Sequence, residues 1–529
     1  MDGSAPSAHT PGPRLWPRFA NLLFASFGFL LLRFLLGPIR IKLLTWLLAP
    51  SAYGSISLIG ITISLVAMVS SVGSFEYLLL RCSGRPAEVQ QGMYKTIMLC
   101  FGGLAVPLAL AGMGVLAVWP PSGFRLSPLD TAACGLLLVL TVLLLQRTNY
   151  LLGIAHYSRS RLTVLLYADL WFLPVLLLAG RGRGALSISL VLWVWAGWTL
   201  LAWALTNGWV RLREVWARPA TRAGLRDVLL FGVPLIPMIL GDWLMRVQDR
   251  YVILAFRDVA LVGGYSLCMS IAMIGVQTGD VLLDILSTDF FRIRNRIDSH
   301  DLRVLTGHYE LRARFTLMVR YCTAIAFLFA AAAFFLPEAI LRFISGQPEY
   351  MKFASILPWA SGYVFFFLLY IIFGRMLIAL GLNKVFGWST LAAAGLNLAL
   401  NLLLVRWMGG PGAALAATLS IGMLVVYMGA RLQVWRWLEW PELKAGRLLL
   451  LLGGAGAWFW FLARHWPHAA LLPLLLAGGG GLGLIAAASL VHKNDFLLLL
   501  SSFSDAQEAQ TLPAENAQIE NEFSADRPG

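Results

Sequence analysis

Inside one apolar run of this sequence, Asp242, Arg246, Asp249 and Arg250 follow one another at steps of four, three and one. On a helix those steps put the first three on one face. A charge at the centre of a membrane helix costs about 2.5 to 3.5 kcal/mol on insertion scales, so it faces protein or water rather than lipid. The next run adds Asp280 and Asp284, again four apart. Arg33, Arg40, Lys42, Arg147, Arg320 and Arg375 stand within or at the edges of other runs. Guanidinium groups grip phosphate oxygens two at a time, which favours Arg over Lys where an anion must be held and released. Arg33, Arg40, Arg147, Arg246, Arg250, Arg320 and Arg375 are therefore the candidate surface for an anionic ligand. Glu76, Asp169, Asp242, Asp280 and Asp284 are the acids able to take up a proton or cation. Two plainer readings stay open. Asp249 and Arg250 could neutralise one another to fix packing, and Arg33, Arg40, Lys42 and Arg147 could snorkel to an interface.

Other chemistry is absent from the pattern. His156, His308, His465 and His468 lie in or beside gaps and form no metal constellation, so no metal site is assigned. The scattered Cys82, Cys100, Cys134, Cys268 and Cys322 lack paired spacing and read as packing thiols. No phosphate-cradling glycine loop is present, and neither a catalytic residue nor a cofactor is assigned. The Trp193, Trp195, Trp198 and Trp435, Trp437, Trp440 clusters stand near run ends, where interfacial belts are expected.

The elements that carry these residues are set by composition. The chain has 529 residues, of which 59% are hydrophobic and 13% charged, with a mean hydropathy of +0.74. Soluble domains carry roughly a quarter charged residues, so a water-soluble fold is excluded. The fold class is an all-α polytopic membrane protein. Apolar runs are Phe19 to Leu48, Ile56 to Leu80, Tyr94 to Val118, Ala132 to Ile154, Leu162 to Leu178, Leu186 to Thr206, Val228 to Phe256, Leu261 to Ile285, Phe315 to Ile344, Ala354 to Leu380, Val385 to Val405 and Ala413 to Met428. Leu448 to Leu462, which is short, and Leu471 to Val491 bring the count to about 14 spans. The first run is too long for a removable signal peptide and is read as retained.

The formal charge of +14 resides in the gaps between runs, which fits membrane orientation better than nucleic acid. Alternating the gaps places most Lys and Arg on the side of the N-terminus, so both termini are expected in the cytoplasm. Residues 1–18 form a cytoplasmic segment, 19–210 a first lobe of six helices and 211–227 a basic linker. Residues 228–430 form a second lobe of six, 431–491 the last two helices and 492–529 a disordered tail. Gly153 to Gly197 and Gly381 to Val425 superpose at one offset, with Asp169 on Asn397 and Gly184-Ala185 on Gly412-Ala413. Because each block has an even number of spans, the lobes are expected as parallel repeats around a central cavity.

Leu47-Leu48-Ala49-Pro50-Ser51-Ala52-Tyr53-Gly54 resembles the turn between the first two spans of bacterial Wzx-type polysaccharide flippases. Gly73 through Arg81 is similar to that family's exit from the second span. Asp249-Arg250-Tyr251 with Val262-Gly263-Gly264-Tyr265 resembles its seventh-to-eighth span signature. Asn397 and Asn401 before Gly409-Gly410-Pro411-Gly412-Ala413-Ala414, with Ala417-Thr418 beyond, resemble its eleventh-to-twelfth hairpin, although Pro411 sits within the glycine run rather than ahead of it. The resemblance covers roughly Phe19 to Val491. It implies membership of the multidrug/oligosaccharidyl-lipid/polysaccharide (MOP) exporter superfamily. The implied cargo is an undecaprenyl-pyrophosphate-linked oligosaccharide, flipped outward across the bacterial inner membrane. The implied partners are membrane lipids and the polysaccharide polymerase and export machinery.

Three alternatives remain at this level. A lipid II flippase shares the two extra helices and a cationic cavity. A MATE-like drug exporter is expected to have a more acidic cavity for cationic cargo. A membrane glycosyltransferase or polymerase is expected to carry acids and bases on outer loops, whereas the first outer turn, Ala49 to Ser55, has no acid.

Overall fold

The computed structural model describes residues 35–71, 87–103, 127–154, 156–179, 187–208, 236–295 and 307–465, with isolated positions between them. Among the described residues, nine helices are long and apolar enough to cross a membrane, or ten if one bent pair is a single span. The fold is all-helical there, as expected from composition. Arg33, Glu76, Cys82, the linker 211–227 apart from isolated positions, the run Leu471 to Val491 and both terminal segments lie outside the described residues. Chain contacts divide the molecule into two compact units, 1–267 with 344–349, and 268–343 with 350–529.

The first unit contains α1 (35–47), α2 (Pro50–Ser71), α3 (Ala87–Ile97), α4 (Pro128–Gly153), α5 (Tyr157–Val164), α6 (Phe172–Ala179), α7 (Ile188–Asn207), α8 (Ile236–Phe256) and the first turns of α9 (Val259–Asn295). Its core forms where Ile59, Ile63 and Ala67 of α2 meet Leu137, Leu138 and Val142 of α4 and Leu192 and Ala196 of α7. The start of α4 is fixed reciprocally: the Asp130 amide donates to Ser127 Oγ at 3.1 Å and Ser127 Oγ donates to Asp130 Oδ2 at 2.8 Å. Such caps satisfy donors that a helix start leaves open.

The sequence pattern predicts one straight span over Leu162 to Leu178. Instead α5 widens into a π-helical turn, Leu165–Asp169, and the chain bends by 40° before α6. The widening frees backbone carbonyls that lipid cannot satisfy. Trp198 Nε1 donates to the Leu166 carbonyl at 2.6 Å, and Arg40 donates to the Ala168 carbonyl at 2.6 Å.

The second unit holds the rest of α9, then α10 (Tyr309–Phe335), α11 (Pro337–Ser345, through residue 343), α12 (Leu357–Ala379), α13 (Asn383–Met408), α14 (Gly410–Leu432) and α15 (Ala445–His465). The run Leu448 to Leu462, short by composition, becomes a 21-residue helix. Leu448, Leu451, Ala455, Phe459 and Leu462 form its buried stripe, with Leu448 and Leu451 packed beside Ala324 of α10. The α13–α14 hairpin turns at Gly409, whose φ of 65° suits glycine. Within it, the Asn401 amide donates to Asn397 Oδ1 at 2.9 Å and Ser420 Oγ donates to the same oxygen at 3.1 Å.

The tightest approach in the first unit joins the starts of α2 and α9. A Cβ on Gly263 would stand 1.8 Å from the Pro50 carbonyl oxygen, and one on Gly54 would stand 2.3 Å from the Val259 carbonyl oxygen. Both obstacles are backbone, so neither can swing aside. Gly263→Ala is expected to destabilise the protein by about 1 to 3 kcal/mol or more, read as a lower thermal midpoint and a smaller monodisperse fraction in detergent. Gly197→Ala, with nothing within 4 Å of its added methyl, should match the wild type. Equal midpoints for both variants would refute the close approach.

Candidate functional site

Helix α8 is 21 residues long, enough to cross a bilayer, yet carries Asp242, Arg246, Asp249 and Arg250. The structure sorts these by face. Asp249 and Arg250 are buried at 1% and 9% exposure. The Tyr265 hydroxyl donates to Asp249 Oδ2, and Arg250 Nε donates to Ser266 Oγ at 3.0 Å while its guanidinium lies 5.5 Å from the Tyr265 ring centre. Ser57 of α2 donates to Ser266 at 2.9 Å, and Thr62 of α2 pairs with the Tyr251 hydroxyl at 2.7 Å. A polar seam therefore ties α2, α8 and α9 together. Asp249 and Arg250 each find hydrogen-bond partners there outside their own pair.

Arg246 and Asp242 face outward from this seam. Arg246 Nε lies 3.0 Å from Asp242 Oδ2, with side-chain exposures of 41% and 27%. A second bond runs from Arg246 Nη2 to Asp242 Oδ1 at 3.1 Å. Exposed pairs four residues apart on a helix are worth only about 0.3 to 0.5 kcal/mol. The fork of Arg246 is thus held beside its acid with both side chains partly exposed.

Arg40 of α1 reaches the broken span, where it lies 3.7 Å from Asp169 as well as bonding the Ala168 carbonyl. Its side chain is about one-third exposed. Arg147 is different: it is buried at 2% exposure and donates to the Trp203 carbonyl at 2.9 Å, to Thr206 Oγ1 at 2.6 Å and to Asn207 Oδ1. The long side chain turns inward toward the end of α7 rather than out to an interface.

In the second unit, Arg375 of α12 donates to Asp280 of α9 at 2.7 Å, the two side chains being 23% and 45% exposed. Arg320 of α10 is buried at 1% with its guanidinium 5.2 Å from the Tyr321 ring centre. Asp284 follows one turn after Asp280 on α9, and its side chain lies outside the described residues. Each described acid among the coupling candidates, Asp169, Asp242 and Asp280, is therefore set against an arginine from the candidate set.

With this geometry in view, the chain was compared with known proteins. No family model matches it, and no curated protein matches its sequence. Among solved structures, a lipid II flippase, MurJ, in an inward closed conformation matches with a TM-score of 0.62 at 13% identity, over 91% of this chain and 100% of that one. An inward-facing multidrug resistance MATE family transporter of the MOP superfamily matches with a TM-score of 0.56 at 12% identity, over 76% of this chain and 94% of that one.

The chain shares the fold of these two transporters. Both neighbours are membrane transporters rather than enzymes. The fold sharpens what the sequence left unread. Ser57, Thr62, Ser266 and Tyr251 complete the seam around Asp249 and Arg250, and no charge flags them, although Tyr251 and Tyr265 stand inside the quoted motifs. Thr206 and Asn207, which receive Arg147, carry no signal beyond their place at a run end.

The burial of Arg147 generates a test of fold rather than transport. Arg147→Lys keeps the charge but lacks the planar fork that reaches Trp203, Thr206 and Asn207. Loss of those bonds leaves buried acceptors open, at about 1 to 3 kcal/mol, so its thermal midpoint should fall below that of the wild type. An unchanged midpoint would show that the arginine does not hold the end of α7.

Proposed function

We propose that this chain is a flippase for an undecaprenyl-pyrophosphate-linked oligosaccharide repeat unit, carrying it outward across the bacterial inner membrane for polysaccharide biosynthesis. The observation that carries the reading is the half-exposed Arg246–Asp242 pair in the middle of α8. A charged pair has no business facing lipid at that depth, so this face serves water and cargo. The diphosphate takes over the guanidinium fork from Asp242. Arg40 in the first unit and Arg375 in the second, each likewise partly exposed beside an acid, are the next candidates for holding the anion, and Arg33, Arg147, Arg250 and Arg320 are the remaining candidate cations. The displaced acids, Asp242, Asp280 and Asp169, are the groups to take up a coupling ion, together with Glu76 and Asp284.

The transporter fold supports this reading, as do the motifs around Pro50, Asp249 and Asn397. In this reading both termini lie in the cytoplasm, on the side where the Lys and Arg of the gaps concentrate. An outward-moving diphosphate gains roughly 2.3 kcal/mol per charge per 100 mV of an inside-negative potential, which favours export. Polymerase and export machinery are the partners that receive the flipped unit. The likeness to a lipid II flippase favours a second cargo within the same chemistry, a lipid-linked peptidoglycan precursor.

The test is leaflet-specific accessibility of lipid-linked oligosaccharide in cells depleted of this protein and complemented with wild type or Arg246→Ala. Depletion should trap the substrate in the inner leaflet, and Arg246→Ala, which truncates a side chain that is 41% exposed, should trap it despite wild-type abundance and midpoint. Trapping of lipid II instead would transfer the assignment to the second cargo. Normal exposure of both, with unextended glycan, would sink the flippase reading in favour of a polymerase or transferase.

A second expectation concerns the acid. Asp242→Asn leaves the Arg246 fork without its resident carboxylate, so in proteoliposomes it should bind soluble pyrophosphate more tightly than wild type, by about twofold from the pair energy above. Weaker binding would show that Asp242 helps to form the site instead of competing for it.

A further inference from the structure

Between α14 and α15 the second unit has an elbow made of two four-residue helical turns, Val434–Trp437 and Trp440–Leu443. The left-handed residues Gln433 and Lys444, with φ of 52° and 51°, set its two corners. Neither is glycine, and such backbone persists where surrounding contacts dictate it.

Contacts on the inner side hold the elbow to the rest of the unit. Trp437 is fully buried, its ring centre 6.1 Å from those of Phe290 and Phe315, and its indole donates to the Leu432 carbonyl at 3.1 Å. The Glu439 amide donates to Thr316 Oγ1 at 2.9 Å. The Glu439 carboxylate is matched by Arg312 at 3.1 Å, so one of the elbow's two acids is neutralised inward, and Arg431, Arg436, Lys444 and Arg447 outnumber the other, Glu442.

The outer side carries a different chemistry. Trp435 and Trp440 are 56% and 60% exposed, and exposed Arg436 stands between them in sequence. Exposed Arg431 closes α14 and exposed Arg447 opens α15. Directly after Arg447, α15 turns Leu449 and Leu450 outward while Leu448 and Leu451 pack inward. Exposed arginines and indoles, followed along the chain by the exposed Leu449 and Leu450 of α15, match a phospholipid in order: phosphate, glycerol ester region, acyl chains. Indoles settle at headgroup depth, and a guanidinium forks onto a phosphodiester.

We infer that this elbow is a binding site for an anionic phospholipid, with Arg436, Arg431 and Arg447 holding the headgroup between Trp435 and Trp440 and the outer face of α15 receiving the acyl chains. It belongs to the second unit and Arg246 to the first, and the inference does not rest on the cargo assignment. Anionic lipid is the committed occupant because the outward charge is positive and adjoins a helix face that is apolar. The elbow also meets the start of α10, so a bound lipid clamps α10, α14 and α15 where they converge.

The experiment uses the full-length protein in nanodiscs of phosphatidylcholine with increasing phosphatidylglycerol, reading lipid retained per protein by native mass spectrometry together with the thermal midpoint. Wild type should retain phosphatidylglycerol and gain midpoint with its mole fraction. Arg436→Gln should weaken retention on the order of fivefold, the effect of removing one cation near an anionic lipid, and Arg436→Lys should recover part of it. Lys384→Gln, which removes another exposed cation of the same unit at the start of α13, should behave as wild type. Equal losses for Arg436→Gln and Lys384→Gln would reduce the effect to overall surface charge and overturn the site. Undiminished retention in Arg436→Gln would overturn it as well. Arg436 is exposed, so both variants should keep the wild-type midpoint in phosphatidylcholine alone, and a fall there would assign the elbow a structural role instead.

Discussion

In hydrocarbon there is no water to receive a donor, an acceptor or a charge that the protein leaves open, and much of this molecule is shaped by that requirement. The consequences appear at every scale. A widened turn in α5 exposes carbonyls, and Trp198 and Arg40 are recruited to cover them. Asp249 and Arg250, which lie in the middle of the unit, are given Tyr265 and Ser266 as partners. Arg147 takes three acceptors from the end of α7. Side chains that look like chemistry in the sequence thus divide into those buried among architectural partners and those, such as Arg246 and Arg375, that stand partly exposed beside a partly exposed carboxylate. That division, rather than charge alone, separates the candidate surface from the scaffold behind it.

Packing obeys a second rule that follows from the first. With lipid as apolar as leucine, helices gain little from merely hiding hydrophobic surface and depend on close contact. The first unit gets that contact by bringing Gly54 and Gly263 within backbone reach, and the second by setting Gly279 against Leu368 and Gly362 against Thr418. Polar seams run beside these contacts: Ser57 to Ser266 in the first unit, Ser420 to Asn397 in the second. Closeness makes the hydrogen bonds possible, and the bonds fix which faces come close.

How far the sequence reveals this depends on what each feature is made of. Spans are legible because twenty apolar residues in a row have few other fates, and α4, α7, α13 and α14 begin and end within a few residues of the runs that mark them. The importance of Asp242, Arg246 and Asp280 is legible because a charge in such a run is costly. The bend between α5 and α6 is not, since its residues are as apolar as those of a straight helix and the break lies in backbone geometry. Arg147 and Arg40 also read alike in sequence, yet one is sealed and the other half-exposed, because neighbours distant in the chain decide it. The tryptophans show the same limit. Trp435 and Trp440 face outward as belt residues do, while Trp437 is sealed between Phe290 and Phe315 and Trp195 stacks on Trp171.

Helix α9 has 37 residues, which at 1.5 Å per residue is about 55 Å against a hydrocarbon layer of about 30 Å. Its last turns must therefore leave the bilayer as a continuous rod. A rod that emerges without a break transmits orientation faithfully from the membrane-embedded part to whatever is attached outside. That makes the far end of α9 a natural place to splice a helical fusion or raise a conformation-selective antibody fragment, giving the protein a rigid external landmark for imaging.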